Sequence, residues 1–188
     1  MAEPLARITP EYCIDIVREY PFPVDRVWAA VTTAEGISAW MKYEATLDRR
    51  LGGRLFVDFK SEGNLEGTVC EWVPERVFAY TWGLSVVRWV LEPCEGGTRL
   101  HFTNSHVTPE ILMGFAAGWH AFIDHLGPYL AGTTVEDRYD DLMEDYADRD
   151  GHLSADNDDT EEKPTRRTRR PPAPSPWPSF ARRRPMET

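Results

Sequence analysis

Turn-forming residues divide the middle of this chain at intervals of about ten residues, and this spacing strongly restricts its fold. They are Gly52-Gly53, Gly63-Asn64, Pro74-Glu75, Gly83-Leu84 and Glu95-Gly96-Gly97. Short segments with such tight connections are typical of antiparallel strands joined as hairpins. The spacing therefore predicts a meander of six strands at roughly residues 43–50, 54–61, 66–73, 76–82, 85–92 and 98–105.

Alternation within these strands indicates which face of the sheet is covered. In the second strand, Leu55, Val57 and Phe59 alternate with Arg54, Asp58 and Lys60. The polar set marks the solvent face, so the apolar set is expected to point inward. On later strands the predicted inward residues are Trp72, Tyr80, Trp82, Trp89, Leu91, Leu100 and Phe102.

A strand and two short helices are predicted before the meander. Residues 12–20 are rich in β-branched and aromatic residues, which favours a strand. Pro23 suits the first turn of a helix whose apolar stripe is Val24, Val27, Trp28 and Val31. Thr33 is a suitable N-cap for a second helix that carries Trp40 and Met41.

A long amphipathic helix is predicted after the meander. Thr108 is expected to cap it and Pro109 to take its first position. Its stripe, Leu112, Phe115, Trp119, Phe122 and Leu126, recurs at spacings of three and four residues. A twisted sheet with an aromatic face needs a cover, and this helix is long enough to provide one.

The C-terminal part, residues 133–188, differs from the rest in composition. Val135, Tyr139, Leu142 and Tyr146 recur at helical spacing, and they predict an acidic amphipathic helix within residues 133–150 that docks on its own domain or on a partner. Residues 151–188 are acidic, then rich in proline and arginine, which favours disorder. We expect a flexible segment at 1–10 and a single folded domain at 11–132.

The order of these elements resembles the helix-grip (START-like, SRPBCC) superfamily. Within it, the chain is most similar to the family related to the C-terminal domain of the Hsp90 ATPase activator (AHSA1-like). The matching segments are FPVDRVWAAVT at 22–32, ISAWM at 37–41, LGGRL at 51–55, GTVCEWVPERVFAYTW at 67–82, RWVLEPCEGGTRLHF at 88–102 and AAGWHAFIDHLGPYLAG at 116–132.

The resemblance implies an α+β helix-grip fold. A six- to seven-stranded antiparallel sheet would wrap around a long C-terminal helix, with two short helices after the first strand. Such scaffolds usually hold an apolar cavity between the sheet and that helix. The resemblance bears on fold more than on function, because one scaffold can host carriers, sensors, cyclases and co-chaperones.

The distribution of charge and cysteine excludes several classes of function. Residues 1–150 hold 13 Lys and Arg against 25 Asp and Glu, which argues against a broad nucleic-acid or anionic-membrane surface there. Cys13, Cys70 and Cys94 are widely spaced, which argues against a disulfide framework or a thiolate metal site. Neither a signal peptide nor a membrane span is recognisable, so we expect a cytoplasmic protein. We also expect no metal or cofactor.

The candidate site is the cavity that the resemblance implies, lined by aromatic and aliphatic side chains. A solid core is the alternative interpretation of the same residues. The predicted ligand-binding residues are Trp40, Val57, Phe59, Trp72, Tyr80, Trp82, Trp89, Phe102, Phe115, Trp119 and Phe122.

Catalytic groups are harder to assign. Ser85 follows Gly83 but lacks the second glycine of a nucleophile elbow, and no phosphate-binding glycine loop is present. The histidines at 101, 106, 120 and 125 are expected at the surface or rim, although His120 could pair with Asp124 and His101 with a helix carboxylate. Charged strand residues (Asp58, Glu71 and Arg18) are expected on the solvent face or in ion pairs.

The sequence therefore predicts noncatalytic binding of a small hydrophobic molecule. Two alternatives remain open. One is a co-chaperone-like interaction module that uses the outer sheet and the acidic extension. The other is an enzyme of the polyketide-cyclase or hydrolase type, although no recognisable catalytic constellation supports it.

Overall fold

The computed structural model describes residues 4–155 and shows one antiparallel sheet covered on one face by helices. In chain order the elements are β1 (Arg7–Ile8), β2 (Ile14–Tyr20), α1 (Val24–Thr32), α2 (Ala34–Met41), β3 (Glu44–Leu47), β4 (Arg54–Asp58), β5 (Asn64–Val73), β6 (Val77–Trp82), β7 (Ser85–Cys94), β8 (Gly97–Ser105), α3 (Leu112–Ala131) and α4 (Tyr139–Ala155). The strand order across the sheet is β1-β2-β8-β7-β6-β5-β4-β3. This is the expected helix-grip fold, with eight strands.

The register of the sheet confirms the predicted inward face. Phe102 pairs with Trp89, which pairs with Phe78, while Leu100 pairs with Leu91. On β4, Leu55 and Val57 are buried, as the alternation predicted, and so is Phe59, which follows the strand. Helix α3 packs on this face with its whole predicted stripe buried, so the core lies between α3 and the sheet.

Local sequence determines the two short helices. Thr33 caps α2 as predicted, since its Oγ1 accepts a hydrogen bond from the Gly36 N–H at 3.0 Å. Gly36 lets α2 lie close to α1, because a Cβ there would come within 2.5 Å of the Ala30 carbonyl oxygen. The Trp40 indole N–H donates to that same carbonyl at 3.0 Å, which fixes the ring over the sheet.

Several boundaries differ from the predictions, among them β2, β3 and β4, which are two to four residues shorter than expected. Arg7–Ile8 forms a short strand on β2, inside the segment expected to be flexible. Thr108 does not cap α3: Ile111 N donates to the Thr108 carbonyl at 3.2 Å in a preceding turn, and the helix begins at Leu112. Helix α4 runs to Ala155, beyond the boundary expected at 150.

The acidic extension docks on its own domain. Tyr139, Leu142 and Tyr146 are buried as parts of the main core, whereas Val135 lies outside the helix and is exposed. The apolar face of α4 is therefore covered by the domain itself. The predicted disorder of residues 156–188 falls outside the described range.

Candidate functional site

Aromatic rings pack against one another between the sheet and α3, and Trp119 lies at their centre. Its ring centroid is 4.8 Å from that of Trp82, 4.8 Å from Phe102 and 6.2 Å from Trp89. These three residues belong to β6, β8 and β7, so one helix side chain contacts three neighbouring strands. Most of the rings meet at steep angles, the arrangement that aromatic quadrupoles favour.

The ring network extends from this core to a half-buried rim. Tyr43, between α2 and β3, lies 4.9 Å from Phe59 and 6.4 Å from Phe122, measured between ring centroids. Phe59 in turn lies 6.0 Å from Trp82. Tyr43 is half-buried. Rings therefore form a continuous path from the partly exposed Tyr43 to Trp119 and Phe102, a path we call the ring path.

The structure brings most of the eleven predicted ligand-binding residues together. Ten are buried and Trp72 is half-buried. The predicted residues that lie on the ring path or contact it directly are Trp40, Phe59, Tyr80, Trp82, Trp89, Phe102, Trp119 and Phe122. Val57 and Phe115 are part of the same buried core. Trp72 packs instead on Trp28 and Phe78.

Two rings of this assembly were missed in the sequence. Phe78 alternates with Tyr80 and Trp82 along β6, so the period of two already placed it inward. Tyr43 was placed at the start of the first predicted strand of the meander, but it lies just before β3, which begins at Glu44. Only the tertiary structure shows that it contacts Phe59.

A polar pair is buried beside the aromatic core. Asn104 on β8 is fully buried, and its Nδ2 donates to Ser85 Oγ at 2.9 Å and to the Val86 carbonyl at 3.2 Å. The Ser85 hydroxyl donates to the Trp82 carbonyl at 2.8 Å. The oxygen of this amide, Asn104 Oδ1, is buried without a hydrogen-bond partner among residues 4–155. Burying an acceptor unsatisfied costs about 1–3 kcal/mol.

Tyr80 is a second polar group in the core. The Trp89 indole N–H donates to its hydroxyl oxygen at 3.4 Å. Burial raises the pKa of Tyr80 well above its usual value, so the phenol stays neutral. None of the eleven predicted ligand-binding side chains carries a formal charge.

A polar network lies at the other side of α3, under α4. Arg18 points inward from β2, in phase with Ile14, Ile16 and Tyr20, and is buried. Its Nη2 lies 2.9 Å from His120 Nε2 and 3.8 Å from Asp124 Oδ1. The carboxylate also lies 3.9 Å from Arg138 Nη1. Arg18 is thus ion-paired, as expected, in the interior of the protein.

The tautomer of His120 follows from its partners. A guanidinium can only donate, so Nε2 accepts from Arg18 and the ring proton is on Nδ1. That Nδ1–H then donates to the Tyr146 oxygen at 3.1 Å, and the same oxygen accepts from the Ala6 N–H at 2.7 Å. Burial, reinforced by Arg18 and then Arg138, lowers the pKa of His120 to about 4.

The surface position expected for the histidines is wrong for two of them. His120 and His125 are both buried. Burial lowers the pKa of His125, with a further contribution from Lys42, whose Nζ lies 3.3 Å from its Nε2. His120 does lie near Asp124, with Nε2 and Oδ1 3.5 Å apart. His101 pairs with Asp15 of β2, at 2.9 Å, and not with a helix carboxylate.

The outer face of the sheet carries exposed ion pairs and shallow clefts. Arg88 binds Glu71 through two hydrogen bonds of 2.7 and 3.2 Å, which lowers the pKa of that carboxyl. One cleft of about 330 Å³ is bordered by Arg7, Asp15 and His101 beside β1. Another, of about 370 Å³, lies over Thr46, Phe56 and Glu66 of β3–β5.

Two further classes of site were sought in the described part of the chain. Residues 4–155 contain no group of three His, Cys, Asp or Glu side chains placed to hold a metal ion. The three cysteines are free thiols. Within the same range no helix is long and apolar enough to cross a bilayer.

Comparison with protein families and solved structures agrees with this architecture. The family model described as activator of Hsp90 ATPase homolog 1-like protein matches residues 21–131. The curated proteins contain no match to the sequence. A conserved protein of unknown function, EF2215 from Enterococcus faecalis, is 16% identical with a TM-score of 0.66, over 79% of this chain and 90% of that one.

Two other solved structures are similar to this chain. CalU16 from Micromonospora echinospora is 24% identical, with a TM-score of 0.64, over 79% of this chain and 93% of its own. DynU16 from the dynemicin biosynthetic locus is 25% identical, with a TM-score of 0.58, over 66% of this chain and 49% of its own.

Proposed function

Because the chain belongs to the activator of Hsp90 ATPase homolog 1-like family, we propose that it uses its helix-grip scaffold to bind a small hydrophobic molecule between the sheet and α3. The observation that carries this proposal is the ring path. It joins the half-buried Tyr43 to the fully buried Trp119 through Phe59 and Trp82. Ligand pockets are lined mainly by such apolar and aromatic surfaces, with few polar groups.

The rim of the ring path supports access from solvent. The hairpin between β6 and β7 has only Gly83 and Leu84 at its tip, and Leu84 is 93% exposed. Gly83 has a positive φ of 59°, as a central residue of such two-residue hairpins requires. Trp82, directly before this tip, contacts Phe59 of the rim. The exposed tip of this hairpin therefore lies beside the rim of the ring path.

The chemistry of the walls favours a neutral ligand with rings. The predicted ligand-binding side chains carry no charge, and a buried ion would have no counter-charge among them. Flat rings can add to the edge-to-face contacts already present. The likeness to DynU16, from a biosynthetic locus, supports a small organic molecule.

Docking of α4 bears on the co-chaperone alternative. The apolar face of α4 packs on the core of its own domain through Tyr139, Leu142 and Tyr146. A partner would therefore meet the acidic outer face of α4 or the outer sheet. Three free cysteines suit a reducing compartment, so the cytoplasm remains the expected location.

The proposal is tested by native mass spectrometry of the full chain purified from its own source, compared with the same sample after denaturation. A stoichiometric small molecule that is lost on denaturation would support the proposal and give the ligand's mass. In parallel, the neutral fluorophore N-phenyl-1-naphthylamine is titrated into ligand-free protein. We expect saturable binding in the micromolar range, as an apolar contact of this size permits.

A pair of variants locates the binding. Tyr43→Ala removes the rim ring and is expected to weaken fluorophore binding about tenfold. Tyr12→Ala is the matched control, because Tyr12 is 46% exposed and lies away from the ring path. Equal affinity in the two variants, or absence of both a native ligand and fluorophore binding, would reject the proposal. Co-purification with a chaperone that survives Tyr43→Ala would favour the interaction module.

A further inference from the structure

The buried side-chain amide of Asn104 is hydrogen-bonded through its nitrogen but not through its oxygen. Its Nδ2 group donates to Ser85 Oγ and to the Val86 carbonyl, both on β7. Its Oδ1 is fully buried and has no hydrogen-bond partner within residues 4–155. Buried amide oxygens are normally satisfied, so this acceptor requires an explanation.

The orientation of the amide is fixed by its partners. Exchanging nitrogen and oxygen would place Oδ1 against the Val86 carbonyl oxygen, which has no proton to donate. Ser85 cannot rescue that arrangement, since its hydroxyl proton is directed to the Trp82 carbonyl. The atom left without a partner is therefore an acceptor.

The surroundings of Asn104 are apolar and aromatic. Its cross-strand neighbours are Ile14 on β2 and Val87 on β7. Phe102 lies two residues earlier on the same face of β8, and Ser85 ties the amide to Trp82. Phe102 and Trp82 both contact the Trp119 ring at 4.8 Å. The open oxygen thus lies near the part of the ring path that Trp82 and Phe102 form.

We propose that Asn104 Oδ1 is the polar recognition point for the ligand, which would carry a hydrogen-bond donor, a hydroxyl or an N–H, on an otherwise apolar ring system. This inference rests on the proposed function, since it concerns the same site. An amide oxygen accepts from a neutral donor without a counter-charge, which suits walls without charge. Phenols, enols and ring N–H compounds are the matching class.

The experiment compares two probes that differ only in the donor. Isothermal titration calorimetry at pH 7 measures 2-naphthol, whose hydroxyl can donate, and 2-methoxynaphthalene, whose ether cannot. For the wild-type chain we expect 2-naphthol to bind about tenfold more tightly, the effect of one buried hydrogen bond. Asn104→Leu keeps the approximate volume and removes the acceptor, so both probes should then bind with equal affinity.

Ser85→Ala serves as a second variant, in case Asn104→Leu does not give a cooperative thermal transition. It keeps the acceptor and removes a contact that orients the amide, so the preference for 2-naphthol should fall below tenfold while 2-methoxynaphthalene binds as before.

The outcomes separate this inference from the proposed function. If the wild-type chain binds both probes with equal affinity, the inference is overturned, because the partner of Oδ1 would then be an ordered water. The proposed function would remain intact. A preference that persists in Asn104→Leu would also overturn the inference, because the donor's partner would be elsewhere. Failure of both probes to bind a wild-type chain that does bind N-phenyl-1-naphthylamine would overturn the inference alone. Failure of all three compounds to bind, with no native ligand, would reject the proposed function and, with it, the inference.

Discussion

Arg18 Nη2 on β2 lies 2.9 Å from His120 Nε2 on α3, and both side chains are buried. Because the guanidinium donates, the imidazole is neutral and its remaining proton faces Tyr146 of α4. A single hydrogen-bonded chain thus joins the sheet, the long helix and the acidic extension. It makes α4 part of the domain.

Replacing Arg18 tests the weight of this network. Arg18→Leu removes the buried cation that faces Asp124 and leaves that carboxylate with Arg138 at 3.9 Å. We expect the free energy of unfolding to fall by about 3 kcal/mol, as when one partner of a buried pair is lost. Urea denaturation measures it.

The control for this variant is Arg99→Leu on the neighbouring strand. Arg99 pairs with Glu19 at 2.8 Å on the exposed outer face. Loss of an exposed pair is expected to cost less than about 1 kcal/mol. Equal losses in the two variants would show that the Arg18 network adds nothing beyond a surface ion pair.

Features set by neighbouring residues could be predicted from the sequence. The N-cap at Thr33 depends on residues three apart, and the alternation at Leu55 and Val57 on two-residue periodicity. The order of strands and helices needed only these local patterns and the turn residues between them. The start of α3 was misplaced because the Thr108-Pro109 pattern also suits a turn, and the turn formed.

The buried polar network could not be predicted, because it depends on contacts between distant segments. Arg18 and His120 are 102 residues apart in sequence. Arg18 was expected on the solvent face or in an ion pair, and the sequence did not show which of the two applies. The two-residue periodicity of β2 places Arg18 on the same face as the buried Ile14 and Ile16, and this pattern indicated an inward side chain. The ring path was largely predictable, since large apolar residues are buried whatever their partners are.

Acidification is expected to destabilise the protein through His120. Its pKa is lowered to about 4 in the folded chain, against about 6.5 when unfolded. Below pH 6.5 the unfolded state therefore binds the proton first, and stability falls until about pH 4. The charged groups facing the ring are Arg18, Arg138 and Asp124, and the two cations oppose protonation.

His120→Gln isolates this contribution from those of other groups. The variant is expected to be less stable than the wild-type chain at pH 7, because glutamine would not reproduce the hydrogen bonds of the imidazole with Arg18 and Tyr146. The difference in free energy of unfolding should narrow by about 1.5 kcal/mol between pH 6.5 and pH 5, since only the wild type carries the titrating imidazole. Urea denaturation at four pH values measures it. A constant difference would show that His120 does not titrate differently in the two states.

Tyr146→Phe removes one hydroxyl at the junction of three segments. That oxygen accepts from the Ala6 N–H at 2.7 Å and contacts His120 Nδ1 at 3.1 Å. Two buried donors would lose their acceptor, so we expect a loss of about 1–3 kcal/mol. Tyr12→Phe removes an exposed hydroxyl and should change stability by less than about 0.5 kcal/mol. If the two variants unfold alike in urea, the junction is not stabilising.

Truncation separates the docked extension from the chain that follows it. Ending the chain after residue 150 keeps Tyr139, Leu142 and Tyr146, the buried side chains of α4. We expect the melting temperature to change by less than about 1 °C. Ending it after residue 138 removes these side chains and uncovers His120, so the melting temperature should fall by more than about 5 °C. Calorimetry distinguishes the cases, and a large drop already at residue 150 would mean that the following segment contributes to the fold.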